Sequence, residues 1–119
     1  MSLRVTVSVS GVNKVVRELD LRIARVRQAV KEQVAKSALN IQLGAKKRCP
    51  VRTGALRNSI TVDFYGALSA EIGPHMPYAA YVEYGTRKMR AQPYLFPAFE
   101  EERLRFEEGL ARAVKGAVE

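Results

Sequence analysis

Leu3, Val5, Val7 and Val9 alternate with Arg4, Thr6, Ser8 and Ser10. A period of two predicts a half-buried strand over about 3–10. The period then changes. Val12, Val15, Val16, Leu19, Ile23, Val26, Val30, Val34, Ala38, Ile41 and Ala45 recur at spacings of three and four, with no proline or glycine between Val12 and Leu43. That spacing predicts one amphipathic helix running to about Lys47. At 1.5 Å per residue it would be roughly 50 Å long. This exceeds what a compact domain of this size spans, so the helix is expected to bend near Gly44 or Leu19-Asp20-Leu21, or to pack on something outside the monomer.

Pro50 ends the helix and Gly54 permits a tight turn. Ala55 to Ser59 are expected to form one helical turn. Ile60, Val62 and Phe64, then Leu68, Ala70 and Ile72, alternate with polar residues on either side of Gly66-Ala67. A β-hairpin over about 59–73 follows from this. Gly73-Pro74-His75-Met76-Pro77 is a loop. Tyr78, Tyr81 and Val82 share a face at helical spacing, so a short helix is expected, stopped by Gly85. Thr86 to Tyr94 read as an irregular loop. Pro97 suits the first turn of a final helix, with Phe99, Leu104, Phe106, Leu110 and Val114 as its apolar stripe. Glu100, Glu101 and Glu102 near its start, and Arg112 and Lys115 near its end, suit its dipole. Nothing divides the chain, so residues 1–119 are expected to be a single domain.

Charge sharpens this outline. The net charge is +8. Residues 1–60 hold 13 Lys+Arg against 3 Asp+Glu, a balance of +10, and residues 61–119 hold 7 against 9, a balance of −2. Such asymmetry points to a polyanion, to an acidic surface on another chain, or to a neighbouring copy's acidic half; a solvated helix face is the plain alternative. Lys46, Lys47, Arg48, Arg52 and Arg57 cluster around the turn, and Arg87, Lys88 and Arg90 form a second group. Phosphate contacts need only such charge, but no motif for reading bases is present.

Catalytic chemistry finds little support. A single His and a single Cys cannot build a Cys/His zinc site in one chain. One Cys forms no internal disulfide, and a reducing compartment is expected. His75 with Glu71 or Glu83 could do acid–base work in principle, yet a surface histidine is the simpler reading. Cys49 sits at a helix C-terminus, where the dipole raises a thiol's pKa. The N-terminus lacks a continuous apolar run, so no signal peptide is expected, and no apolar run reaches bilayer length. By contrast, Tyr78, Tyr81, Tyr84, Tyr94, Phe96 and Phe99 place six of nine aromatics within 22 residues. Tyr and Arg are enriched in interface cores.

Cys49-Pro-Val-Arg-Thr-Gly-Ala-Leu-Arg-Asn-Ser-Ile60 resembles a PVRTGxLRxSI signature of a tail-component family of long-tailed bacteriophages. Ile72-Gly-Pro-His-Met-Pro-Tyr-Ala-Ala-Tyr-Val-Glu-Tyr-Gly-Thr86, followed by Gln92-Pro-Tyr-Leu-Phe-Pro-Ala-Phe99, resembles a second signature in family order. The resemblance implies an α+β fold, with a long N-terminal helix and a C-terminal helix packed on a small antiparallel sheet. It implies a tail completion or head–tail joining protein rather than an enzyme, with no catalytic, metal or cofactor residues. Such a protein would form a ring, typically a hexamer, at the head-proximal end of the tail. Its partners would be copies of itself, the head connector or stopper, the tail tube, and DNA in the lumen, with no membrane. It would reside in the virion neck, and in the host cytoplasm before assembly. The contact candidates are Arg52, Arg57, Tyr81, Tyr84, Arg87, Lys88 and Arg90. Tyr78 to Tyr84 are expected to set rings beneath the sheet. The alternative is a small basic protein binding DNA without sequence preference.

Overall fold

The computed structural model describes residues 3–8, 24–50, 54–66 and 68–118. The expected helix over 12–23, its possible bend at Leu19-Asp20-Leu21, and Arg52 all lie outside the described residues. Strand β1 (Val5–Ser8) leads, in chain order, to helix α1 (Ala24–Arg48) and the short helix α2 (Ala55–Asn58). Strands β2 (Thr61–Phe64) and β3 (Ser69–Gly73) follow, then helices α3 (Ala79–Tyr84) and α4 (Leu95–Val118). The fold is mixed α+β, with two long helices and a three-stranded antiparallel sheet, as the sequence implies.

The sheet order is β1-β3-β2. The expected hairpin supplies β2 and β3, and the N-terminal strand joins the free side of β3. Register puts Val5 and Val62 opposite Ile72, and Val7 and Phe64 opposite Ala70. These six share one face, because cross-strand partners do. Val5, Val7, Ala70 and Ile72 are buried beneath the helices. The opposite face carries Thr6, Ser69, Glu71, Asp63 and Thr61, which explains the alternation. Across that face Arg4 pairs with Asp63 at 3.3 Å. Gly73 accommodates β1 closely: a side chain there would meet the Leu3 carbonyl oxygen at 2.3 Å.

Helix α1 buries Val26, Val30, Val34, Ala38, Ile41 and Ala45, all of them residues of the predicted stripe. Its partner is α4. Gly44 approaches Ala98, Asn40 bonds Glu102, and Gln33 lies against Gly109, so the two helices run antiparallel. Gly44 lies inside the continuous helix α1. It lets α4 close in, since a Cβ there would sit 3.1 Å from the Ala98 side chain. Twenty-five residues in α1 and 24 in α4 give each about 36–38 Å. The molecule is therefore elongated, 54 × 23 × 20 Å, and most of the length of α1 is matched within the chain.

Three sequence expectations need correction. Helix α4 begins at Leu95, two residues before Pro97, so Pro97 still occupies the first turn but Glu100, Glu101 and Glu102 do not. Glu102 is buried, and both of its oxygens accept from Asn40 Nδ2 at 3.3 Å. The sequence alone reads the carboxylates of this helix as a solvated face, and Glu102 departs from that. Leu104 leaves the apolar stripe: it is 61% exposed, whereas Leu110 is fully buried.

That difference sets a first test. Leu110→Ala should cost about 2–5 kcal/mol of unfolding free energy, as buried leucine truncations do. Leu104→Ala should stay within about 0.5 kcal/mol. Urea unfolding of both variants checks this.

Candidate protein-docking site

Helix α3 is six residues long and amphipathic in an unexpected sense. Its buried positions are Ala79 and Glu83, four apart, with Val82 partly buried beside them. Its tyrosines face solvent: Tyr78 is 39% exposed, Tyr81 60% and Tyr84 55%. The expectation that these rings lie beneath the sheet is therefore wrong. A carboxylate holds the inward position instead, and the ring that is fully buried is Tyr94.

The Glu83 carboxylate faces the start of α4. Its Oε1 accepts from the backbone N–H of Tyr94 at 3.1 Å and of Leu95 at 2.9 Å, and its Oε2 from that of Phe96 at 3.3 Å. A helix leaves its first N–H groups without intrahelical partners and carries partial positive charge there. Glu83 satisfies three such donors from eleven residues upstream. The Tyr94 hydroxyl donates back to the Ala79 carbonyl at 3.1 Å. Helix α3 is thereby fastened to α4 from both sides.

The intervening loop is held as well. Gln92 N–H donates to the Val82 carbonyl, and Thr86 N–H to that of Met89, each at 2.8 Å. The Thr86 hydroxyl accepts from the Lys88 and Met89 N–H groups. Gly85 adopts φ +80°, and a Cβ there would meet Ala91 N at 2.7 Å, so the reversal requires glycine. Arg87, Lys88 and Arg90 project from this loop, exposed and with no ion pair among the described residues. Tyr84 contacts Phe96, ring centroids 5.7 Å apart. One short segment thus displays two candidate tyrosines and three candidate cations on a backbone that has little freedom to move.

Arg57 is placed differently. It is half-buried at the end of α2, where its charge favours the Cys49 thiolate. Burial is the larger influence and pushes the Cys49 thiol up, with help from the Glu83 charge. The sequence reading had the direction right but credited the helix dipole. Burial likewise pushes the Tyr94 phenol well above its usual range, again with help from Glu83. His75 is exposed, with Arg4 and Thr61 against its ring. Among the described residues no group of His, Cys, Asp and Glu could hold a metal ion, and no helix is long and apolar enough to cross a membrane.

Glu83 was considered only as an acid–base partner of His75, and Tyr94 only as one of the clustered aromatics; neither was among the contact candidates. The available signal was positional: with the tyrosines outward, Ala79, Val82 and Glu83 make up the inner face, and a carboxylate there demands donors. Glu83→Ala should lower stability by about 2–4 kcal/mol, because buried N–H groups lose their acceptor. Glu83→Gln should cost less, and Tyr81→Ala under about 0.5 kcal/mol; chemical denaturation checks all three. Stability should also fall with alkali. The native chain holds the Cys49 and Tyr94 protons more tightly than the unfolded chain, so unfolding releases them once pH passes the unfolded values. Stability should be level at pH 6–8, fall above about pH 8.5 and fall further above about pH 10. Cys49→Ser should remove the first drop and Tyr94→Phe the second, read from urea midpoints across pH 7–11.

A family model described as "Bacteriophage HK97-gp10, putative tail-component" matches residues 13–85. No curated protein and no solved structure matches the chain. The matched span contains the whole Cys49–Ile60 signature and the second signature through Gly85. It includes the Glu83 anchor and the three exposed tyrosines, and covers more than half of the chain. The chain belongs to the HK97-gp10-like family of bacteriophage tail components.

Proposed function

We propose that this chain is a tail completion or head–tail joining protein. It assembles as a ring at the head-proximal end of the tail and docks on the head connector. One observation carries the reading beyond family membership: the outward Tyr81 and Tyr84 and the Arg87, Lys88 and Arg90 loop, displayed on a segment fixed by Glu83. Exposed aromatic rings beside arginine, ordered before binding, lose little entropy on association and are typical interface anchors. The fold spends a buried carboxylate and a left-handed glycine on holding them. Arg57 has a different part in this reading. Half-buried at the end of α2, with its charge acting on the Cys49 thiol, it supports the platform rather than touching a partner, and Arg52 remains a contact candidate.

The role is structural and not enzymatic. It rests on association with other virion proteins, so the chain works in the virion neck and reaches it from the host cytoplasm. Tail tube proteins would meet the opposite face of the ring, and any contact with DNA in the lumen is secondary.

Location tests the proposal. Epitope-labelled protein should be found at the neck of assembled particles by immunogold microscopy; label elsewhere, or none, sinks the idea. In complementation of a particle lacking the native copy, a Tyr81→Ala, Tyr84→Ala, Arg87→Ala triple variant should reduce joined particles at least 10-fold while its thermal midpoint is unchanged.

A further inference from the structure

The charge asymmetry takes a specific form on the outer faces of the two long helices. On a helix the neighbours of a residue are three and four positions away. Leu104 of α4 is 61% exposed, and its four such neighbours are Glu100, Glu101, Glu107 and Glu108. No cation stands among them. Leu39 and Leu43 of α1 are 49% and 57% exposed and neighbour each other. Around this pair stand Ala35, Lys36, Asn40, Gln42, Lys46 and Lys47, with three cations and no carboxylate.

A lone exposed leucine needs no explanation. A leucine whose four neighbours one turn away are all carboxylates, and a leucine pair whose charged neighbours are all cations, do. The chain's own electrostatics account for only part of the acidic collar. Glu101 is engaged by Arg48 and Arg105, and Glu100 by Arg103 at 3.6 Å, but Glu107 and Glu108 make no ion pair among the described residues. Lys36, Lys46 and Lys47 make none either, although the charge of Lys47 reaches Glu101. Within one chain α1 and α4 meet through Gln33, Asn40, Gly44 and Ala98, Glu102, Gly109, which leaves both leucine surfaces outward. A surface devoted to phosphates has no use for two leucines at its centre, since phosphate contacts come from cations and hydrogen-bond donors.

We infer that the Leu39/Leu43 surface of α1 in one copy docks on the Leu104 surface of α4 in another, leucine against leucine, with Lys36, Lys46 and Lys47 facing Glu100, Glu107 and Glu108. The occupant is a second copy of this chain, chosen by charge complementarity. The contact joins two different surfaces, the kind that propagates from subunit to subunit and closes into a ring where the rotation allows. It rests on the ring reading above and names the surfaces that reading needs.

Disulfide trapping of the purified full-length chain tests it, with Cys49→Ala as background so that introduced thiols are the only ones. Mixing Leu43→Cys protein with Leu104→Cys protein under mild oxidation should form the mixed dimer at least 10-fold faster than either forms with Thr6→Cys, an exposed control on the polar face of the sheet. Glu100→Lys with Glu108→Lys should slow trapping at least 10-fold, and Lys36→Glu with Lys47→Glu on the other partner should restore it. Trapping no faster than the control overturns the proposal. So does a 20-base-pair DNA duplex that binds α1 through Lys36 and Lys47 while charge reversal leaves trapping unchanged. Apart from the buried Cys49 of the shared background, all of these positions are exposed, and matching circular dichroism spectra confirm folding. Neck localisation reports separately: label at the neck without trapping removes this contact and keeps the ring reading, whereas trapping without neck label does the reverse.

Discussion

The Glu83 carboxylate at the start of α4 is the interaction on which the second half of the molecule depends. A buried charge is costly unless it is paired or fully hydrogen-bonded. Here the compensation comes from three backbone N–H groups and the positive end of a 24-residue helix. The bond set fixes where α4 begins. That in turn sets the register in which Ala98 meets Gly44, Glu102 meets Asn40 and Gly109 meets Gln33. A six-residue helix cannot sustain itself in water, so α3 also owes its existence to this anchor and to the Tyr94 hydroxyl bonded to Ala79.

The two signature segments converge at this point. The charges of Arg57 and Glu83 both reach the Cys49 thiol, and that of Glu83 also reaches the Tyr94 phenol. Nothing in the cluster is arranged for chemistry. The thiol is buried and held protonated, the phenol is bonded to a carbonyl, and the carboxylate is occupied by amides. Motif residues here make the joint between helix, sheet and helix. The side chains that the joint turns outward are the ones the proposed docking would use, as rigid scaffolds carry binding loops.

Most elements were legible in the sequence because each is set by its own periodicity. The strand at Val5–Ser8, the hairpin across Gly66, the buried stripe of α1 and the stop at Gly85 needed no knowledge of neighbours. The failures share one cause. The rings from Tyr78 to Tyr84 were expected beneath the sheet because tyrosine is large and partly apolar, yet its hydroxyl lets it stand in water. Glu83 entered only as a possible acid–base partner of His75, because its actual donors are contributed by a helix that starts twelve residues later. Leu104 read as core because α4 was assumed to offer one stripe; burial is decided by where α1 and β1 lie, which local sequence does not encode. The sheet order β1-β3-β2 was likewise set by packing, since either hairpin strand could have received the N-terminal one.

The charge excess is resolved by the same distinction between what a position is and where it faces. A count of +10 in the first half invites a nucleic acid partner, because counts ignore geometry. Once the sheet and α1 have inner faces, the cations of the first half separate into groups with different tasks. Arg48 crosses to Glu101 and helps close the helix pair. Arg4 is spent across the sheet on Asp63. Lys36, Lys46 and Lys47 remain on the outer face, and what lies between them is leucine rather than a hydrogen-bonding side chain. Apolar surface inside a charged frame gains most from a partner that is itself apolar with an opposite frame, because only then are both the leucines and the charges satisfied on contact. A duplex would neutralise the lysines and leave the leucines against phosphate and water. The outer face of α1 is for that reason better matched to protein than to DNA, and its acidic counterpart is carried on the other helix of the same chain.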